Sequence, residues 1–516
     1  MVLAASNHPV NNDVMSKNMP SNQVLSSRLS ELLPRYATSG PRYTSYPTVP
    51  EWQNWSEASD RHRWQGLIQD TNAPLANGDL RPLSIYVHIP FCESRCLFCG
   101  CNVVITKQKP QAQKYLDALY HEIDGTLPLL DLKRPVRQLH WGGGTPTYLC
   151  ARQLQDLGQF LRDRFTLDAQ AEIALEVDPR VTTHEQLEVL RGLGFNRLSM
   201  GVQDVYPEVQ KAIHREQSLQ ETQALVEAAR QLGYGGINLD LIYGLPHQTL
   251  NSFQRTVDEV IALSPDRIAL YHFAYVPWLA PHQKQMPEEA LPTSDTKLAI
   301  FCDAMARLTA AGYIYIGMDH FAKPTDDLAL ALSDGRLHRN FMGYTSYPKV
   351  SQLNVADTDP TMISFGVSSI SDTATGYAQN ARKLSDYYDL VAERKLPPVQ
   401  RGILLNDDDH LRRWVIQQLL CQGQLSPEKA QLQFPWLERA GGFDRYFAEA
   451  LSALEPAMAD DLIGWDTTIG ERQLVVSPLG RVFSRNLAMA FDAYLKPASS
   501  SPRSPQEAPP KFSQTA

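Results

Sequence analysis

Four of the seven cysteines fall within ten residues, at Cys92, Cys96, Cys99 and Cys101, with gaps of three, two and one residues. A thiolate is a nucleophile and a soft metal ligand, so thiols this crowded point to metal or redox chemistry. Three assignments compete. A structural zinc site pairs its cysteines across about a dozen residues or more, and no second close pair exists here. Disulfides belong to oxidising compartments, and the N-terminus lacks a charged-then-apolar secretory pattern. An iron–sulfur cluster accepts closely spaced thiolates from one loop, and this is the preferred reading. Cys92, Cys96 and Cys99 are the expected metal ligands, wrapping three corners of a cubane 4Fe-4S cluster and leaving its fourth iron open. Cys101 is too near Cys99 to reach a separate corner. It reads either as a near-cluster residue acting on the site or substrate, or as a small packing residue. Cys150, Cys302 and Cys421 are expected to be ordinary buried cysteines.

The elements that must position this loop are legible. The apolar run Leu83–Phe91 empties directly into it. Five further β-rich runs follow: Val136–Trp141, Glu172–Val177, Asn196–Val202, Ile237–Ile242 and Arg267–Phe273. Stretches with helical apolar spacing separate them; Leu225, Val226, Ala229 and Leu232 share one such face. This alternation implies parallel strands joined by right-handed crossovers. Six units predict an α/β fold, a partial (β/α)6 TIM-like barrel. Each run ends in unusual chemistry: the cysteine loop, Gly142–Gly144, Glu176 and Asp178, Gln203, Asp240 and Tyr243, then Ala274 and Tyr275. Barrel sites form at the carboxyl ends of strands, so these residues should meet at one mouth.

From about residue 385 the pattern becomes mostly helical. Asp409 reads as the cap of a helix whose apolar face is Leu411, Trp414, Val415 and Leu419. Ser477-Pro478 reads as another helix start, with a short hairpin, Leu462–Trp465 and Gln473–Val476, between them. The expected domains are a disordered extension 1–34, a lid segment 35–80, the barrel and its extension 81–384, a smaller, mostly helical C-terminal domain 385–496, and a disordered tail 497–516. At 516 residues the chain can bury a large core. A net charge of -9 argues against nucleic acid as a partner. No apolar run is long enough to span a bilayer. A cytoplasmic monomer is expected.

The three-two cysteine spacing after a first strand resembles the radical S-adenosylmethionine enzymes. That resemblance implies a cofactor whose methionyl amino and carboxylate groups occupy the open iron, and whose cleavage yields a 5′-deoxyadenosyl radical. Gly142–Gly144 would let backbone approach the methionine amino group. Glu176, Gln203, Arg215 and Asp240 are polar groups able to fix ribose hydroxyls and methionine charges, and Phe98 packs near the adenine or shields the cluster. Any of these polar residues alone would read as a solvated or ion-paired surface group.

Within that superfamily the chain is similar to the oxygen-independent coproporphyrinogen III oxidases over roughly residues 35 to 495. The motifs are Pro41–Thr48, Tyr86–Cys92, His140–Thr147, Glu176–Arg180, Ser199–Asp204, Asp240–Pro246, Gly317–Phe321 and His338–Phe341. The resemblance implies a radical SAM barrel binding a 4Fe-4S cluster and two S-adenosyl-L-methionine molecules. Tyr86, Gly143, Glu176 and Ile370 would contact the first. Gly144, Thr145, Gln203, Arg215, Asp240 and Ala274 would contact the second. Tyr86 and Cys101 are the expected catalytic residues. The implied reaction converts two propionates of coproporphyrinogen III to vinyl groups, giving protoporphyrinogen IX. An electron donor such as a flavodoxin or ferredoxin, and an unknown acceptor, are implied partners. A tetracarboxylate substrate asks for cations, and Arg42, Lys107 and Arg339 are candidates. Tyr43 and Tyr46 read as a cover over the mouth or as packing aromatics. The stretch from Tyr347 to Pro360 departs from the family as an insertion. The alternative reading is a haem-binding chaperone with the same barrel; Cys101 and the Arg42–Pro47 segment favour the oxidase.

Overall fold

The computed structural model describes residues 22–55, 57–75, 78–346, 361–373, 375–395, 397–468 and 470–495. The expected insertion at 347–360, residues 1–21 of the expected disordered extension and the whole expected tail 497–516 lie outside them; the rest of that extension is not disordered but belongs to a helix, Asn22–Tyr36. The chain divides into two compact units. One, the barrel unit, comprises Glu51–Pro292 and Val350–Asn406; the other comprises Met1–Pro50, Thr293–Lys349 and Asp407–Ala516.

In the barrel unit, six strands pair in chain order and in parallel. They are β1 (Leu83–Ile89), β2 (Val136–Gly143), β3 (Leu167–Val177), β4 (Arg197–Gln203), β5 (Gly236–Tyr243) and β6 (Arg267–His272). Successive side chains alternate between the faces of a strand, and here the alternation separates two chemistries. Ile85, Val87, Leu139, Trp141, Leu175, Leu198, Met200, Ile237 and Leu239 form one buried apolar set. Each such side chain contributes about 1.5–3 kcal/mol by leaving water. The other face is polar and connected across strands: Ser84 donates to Gln138 at 3.0 Å, Tyr86 stacks on His140 at 5.9 Å, and Asn238 donates to Ser199 at 2.9 Å.

The crossovers are helices with readable starts. Pro110 opens α1 (Pro110–Thr126). Thr183 and Ser218 cap α3 (His184–Gly192) and α4 (Leu219–Gln231), each within a reciprocal capping box. Between them in chain order, α2 is Ala151–Arg162. On α4, Leu225, Val226 and Ala229 are buried as the periodicity predicts.

A seventh strand, β7 (Thr361–Phe365), lies parallel to β1 on its other side. The antiparallel strands β8 (Ile370–Asp372), β9 (Gly376–Asn380) and β10 (Val399–Leu404) continue the sheet. These four were not foreseen as sheet members.

In the second unit, the hairpin Ile463–Asp466 with Gln473–Val476 forms as expected, joined by Gln424–Leu425. Two details differ from the reading above. Asp409 is not a cap: the helix runs Asp407–Gln417, with all three aspartates in its first turn, where the helix dipole favours anions. Asp409 is buried and accepts from Tyr494 Oη at 2.8 Å. Ser477 does cap, accepting from Gly480 N at 2.9 Å, but it caps a turn; the next helix is Ser484–Met489. Among the described residues, no helix is long and apolar enough to cross a membrane.

Candidate active site

The carboxyl ends of the barrel strands surround a cavity of about 320 Å³. Its wall contains Cys92, Cys96, Phe98, Cys99 and Cys101 from the loop after β1. Gly143, Gly144 and Thr145 line it from the end of β2, and Glu176 from β3. Gln203 and Arg215 enter from β4 and the segment beyond it, and Asp240 from β5.

The loop is held at several points. Leu97 is buried among Val209, Ile213, Ile242 and Leu245, with Phe98 packed against that cluster. Leu97 N donates to Ile213 O at 2.9 Å. Val104 N donates to Pro90 O at 2.7 Å and Thr106 N to Cys92 O at 3.0 Å, closing the loop's two ends together. The His282 ring meets Cys99 O at 2.8 Å. A ten-residue thiol loop is thus tied to the barrel rather than left to fluctuate.

The thiols are inequivalent. Burial pushes Cys92 up to about 11, although a contact with Thr145 Oγ1 at 3.4 Å partly offsets it. Cys99 is lowered to about 7, chiefly because the Cys101 thiol donates to it. Cys101 is raised in return, and its backbone N also donates to Cys99 Sγ at 3.4 Å. Cys101 therefore stands as a hydrogen-bond partner of Cys99. Cys150, contrary to expectation, is exposed, because it is the N-cap of α2, in a capping box with Gln153 at the helix end; Cys302 and Cys421 are buried. Among the described residues, no three His, Cys, Asp or Glu side chains are grouped to chelate a single ion.

The glycine edge has a steric reason. Gly143 has φ +114, and a Cβ there would lie 2.5 Å from the His88 ring. A Cβ on Gly144 would lie 2.7 Å from Phe91 O. Glu176 abuts this edge, accepting from Gly143 N at 3.1 Å and facing His140 Nε2 at 3.6 Å. Burial raises the Glu176 carboxyl, but the hydrogen bonds from His140 and Gly143 outweigh it and the net shift is downward. Asp240 goes the other way: burial pushes it up to about 7, against the pull of Asn238 Nδ2 at 2.7 Å. Two buried atoms of the wall, Gln203 Oε1 and Arg215 Nε, lack a hydrogen-bond partner among the described residues. Orphaned buried polar atoms facing a cavity mark where a polar ligand belongs.

Of the remaining expected residues, one lines the cavity and the others do not. Tyr86 lies on β1 beneath the rim, its hydroxyl 3.2 Å from His88 Nδ1. Ile370 opens β8, and Ala274 follows β6 with its carbonyl accepting from Gln283 at 3.2 Å; neither lines the cavity. Lys107 lines it. Arg42 and Arg339 belong to the second unit: Arg42 pairs with Asp319, and Arg339 Nε donates to Arg42 O at 3.3 Å. Tyr43 and Tyr46 are buried in that unit, Tyr43 donating to Asp492 at 2.9 Å. Sequence reasoning missed Arg180, Ser199 and Gly201, which line the cavity; Asp178, expected at the mouth from its place at a strand end but given no ligand to hold, lines it too. The period-two alternation through Gln203 would have flagged Ser199 and Gly201.

Three thiols, a glycine edge without side chains of its own and unmet polar atoms within one cavity fit an iron–sulfur cluster carrying a small polar organic ligand. Fold and site together define a radical SAM protein, and the sequence profile of the Radical SAM superfamily matches residues 86–260. The chain is 44% identical over 467 residues to the oxygen-independent coproporphyrinogen III oxidase of Synechocystis, covering 90% of this chain and 95% of that protein. It is 44% identical over 465 residues to the Escherichia coli K12 enzyme of the same name, again covering 90% and 95%. The solved structure of Escherichia coli coproporphyrinogen III oxidase, described as a radical SAM enzyme, matches with TM-score 0.79 at 43% identity, over 88% of this chain and 98% of that one. The chain belongs to the oxygen-independent coproporphyrinogen III oxidase family. The haem-chaperone alternative is not favoured by these relatives.

Proposed function

We propose that the protein catalyses oxygen-independent oxidative decarboxylation of two propionates of coproporphyrinogen III, yielding protoporphyrinogen IX. What carries this reading is the convergence of Cys92, Cys96 and Cys99 on the same cavity as the glycine edge, in a chain similar to these oxidases over nine-tenths of its length. Bound there, a reduced 4Fe-4S cluster and S-adenosylmethionine would supply hydrogen-abstracting radical chemistry that needs no oxygen. Cys92, Cys96 and Cys99 hold the cluster. Gly143 and Glu176 receive the amino group of a first S-adenosylmethionine, with Tyr86 and Ile370 near it and Phe98 beside its base. Gly144, Thr145, Gln203, Arg215 and Asp240 receive a second, with Ala274 near it; the unpaired Gln203 Oε1 and Arg215 Nε are the atoms it would satisfy. Lys107, at the cavity wall, is the cation placed to meet a propionate. Cys101 orients Cys99 through its hydrogen bond and is the thiol nearest the site without a cluster corner of its own.

A flavodoxin or ferredoxin is the class of electron donor, a separate acceptor takes the one electron per propionate that the substrate radical gives up as carbon dioxide leaves, and the enzyme works as a cytoplasmic monomer. The test is turnover without oxygen, with reductant, S-adenosylmethionine and coproporphyrinogen III. Expected are protoporphyrinogen and two carbon dioxide molecules per macrocycle. Stable haem transfer without decarboxylation would overturn the assignment.

A further inference from the structure

Cys96 differs from the other two ligands in its surroundings. Two guanidinium groups reach its sulfur: Arg180 Nη2 at 3.7 Å and Arg215 Nη1 at 3.6 Å. Both also bond the same oxygen, Asp178 Oδ2, at 2.6 and 3.1 Å. The two arginines are held differently. Arg215 has a second anchor, donating to Gly201 O at 2.8 Å, and is buried. Among the described residues Arg180 has no such anchor. Its side chain bonds Asp178 three times, from Nε at 3.0 and 3.2 Å and from Nη2, and otherwise only Cys96. It keeps 19% of its side chain exposed. Without Asp178 its easiest course is to turn into water.

We propose that Asp178 is a positioning residue, tethering Arg180 against the Cys96 sulfur so that a cationic hydrogen bond at that corner raises the reduction potential of the cluster. This rests on the cluster reading of the cavity given above. The physical reason is general. Hydrogen bonds to cluster sulfurs and nearby charge set iron–sulfur potentials, and groups behind the ligands orient what touches the metal. A donor that is also cationic favours the reduced state, which carries one more negative charge. Generating an organic radical needs an electron delivered at low potential, so the setting of that potential bears on which donors can drive the enzyme. Placing the arginine on a two-residue tether, Asp178 to Arg180, lets the barrel strand β3 aim a charge that its own backbone does not reach.

The test is a spectroscopic redox titration of the reconstituted cluster in the full chain and in three variants, with iron and sulfide measured in each. Arg180→Gln removes the cation and should shift the midpoint potential to more negative values at unchanged iron and sulfide content. Asp178→Ala makes the net charge more positive, yet by releasing the tether it should shift the potential in the same, negative direction. Arg180→Lys keeps a charge at the tether and should recover part of the shift. Equal potentials for the unaltered chain and Arg180→Gln overturn the proposal. A positive shift for Asp178→Ala overturns the tether and leaves a bare charge effect. Lack of iron and sulfide in the unaltered chain would sink the cluster reading itself, and this inference with it.

Discussion

The two ends of the barrel use the same residue types to opposite purpose. Low on β3, Glu172 Oε2 accepts from Arg197 at 3.3 Å and from Arg267 at 2.9 Å, joining the starts of β4 and β6 across the barrel floor. A Cβ on Gly236, at the start of β5, would strike the Arg197 guanidinium, so the floor is packed as well as paired. Six residues on, just past the end of that strand, Asp178 also holds two arginines, but around it lie Arg215 Nε and Gln203 Oε1, without partners among the described residues, and a thiol. The floor pairs its charges within the protein and contributes stability. The mouth is left incomplete, and incompleteness beside a cavity is where a ligand is bound. A carboxylate–guanidinium pair therefore says little by itself; its unmet valence and its place along the strand decide the meaning.

That contrast can be broken in order of expected effect. Cys96→Ala at the mouth should abolish decarboxylation and the cluster's visible absorbance, while the urea midpoint of the apoprotein stays near that of the unaltered chain. If this variant still turns over, the mouth is not the active site. Next comes Glu122, a buried carboxylate on α1. It accepts from Gly366 N at 2.8 Å, Asn380 Nδ2 at 2.6 Å and Tyr387 Oη at 2.6 Å. Glu122→Ala strands those donors and should cost about 3 kcal/mol in urea unfolding.

Burial raises the Glu122 carboxyl from 4.5 to about 7. The folded state then holds its proton longer than the unfolded state does. Its contribution is full below about pH 4.5 and is lost as pH rises through about 7, at no more than about 1.4 kcal/mol per unit. The melting temperature of the unaltered chain should fall over that window relative to Glu122→Gln; parallel curves would place the proton elsewhere. On the floor, Glu172→Gln removes the negative charge that two partly buried guanidiniums share and should cost about 2 kcal/mol. Turnover per loaded cluster should be unchanged; a fall in turnover would erase the division between floor and mouth. Smallest is Cys150→Ser. It replaces one N-cap side chain with a better acceptor and should leave stability within about 0.5 kcal/mol and iron content unaltered.

The six parallel strands were legible because each is a short apolar run ended by turn or polar residues, a pattern written locally. Their edges shifted by a few residues, most at β3, which begins at Leu167 rather than Glu172. β7 to β10 were not legible. β7 is a strand by virtue of its pairing with β1, far away in sequence, and nothing local announces that partner. The misread helix start has a similar cause. Ser477 and Pro478 form a good capping pair, but a Cβ at Gly480 would overlap the Leu462 carbonyl, so the chain stays in a close-packed turn until Ser484. At the site, the cysteine loop and the glycine edge could be named from spacing. Arg180 could not, because its role depends on a sulfur 84 residues away.

The order of residues alone determined the barrel's alternating strands, the thiol loop at the end of the first, and the polar residues at the ends of the rest, since each is a short-range pattern of side-chain chemistry. Only the tertiary structure decided which of those polar groups were satisfied and which were left open, and which charges met at Cys96. Hydrogen bonds and ion pairs act over a few ångströms, and the groups they join here come from strands that the chain separates by tens of residues.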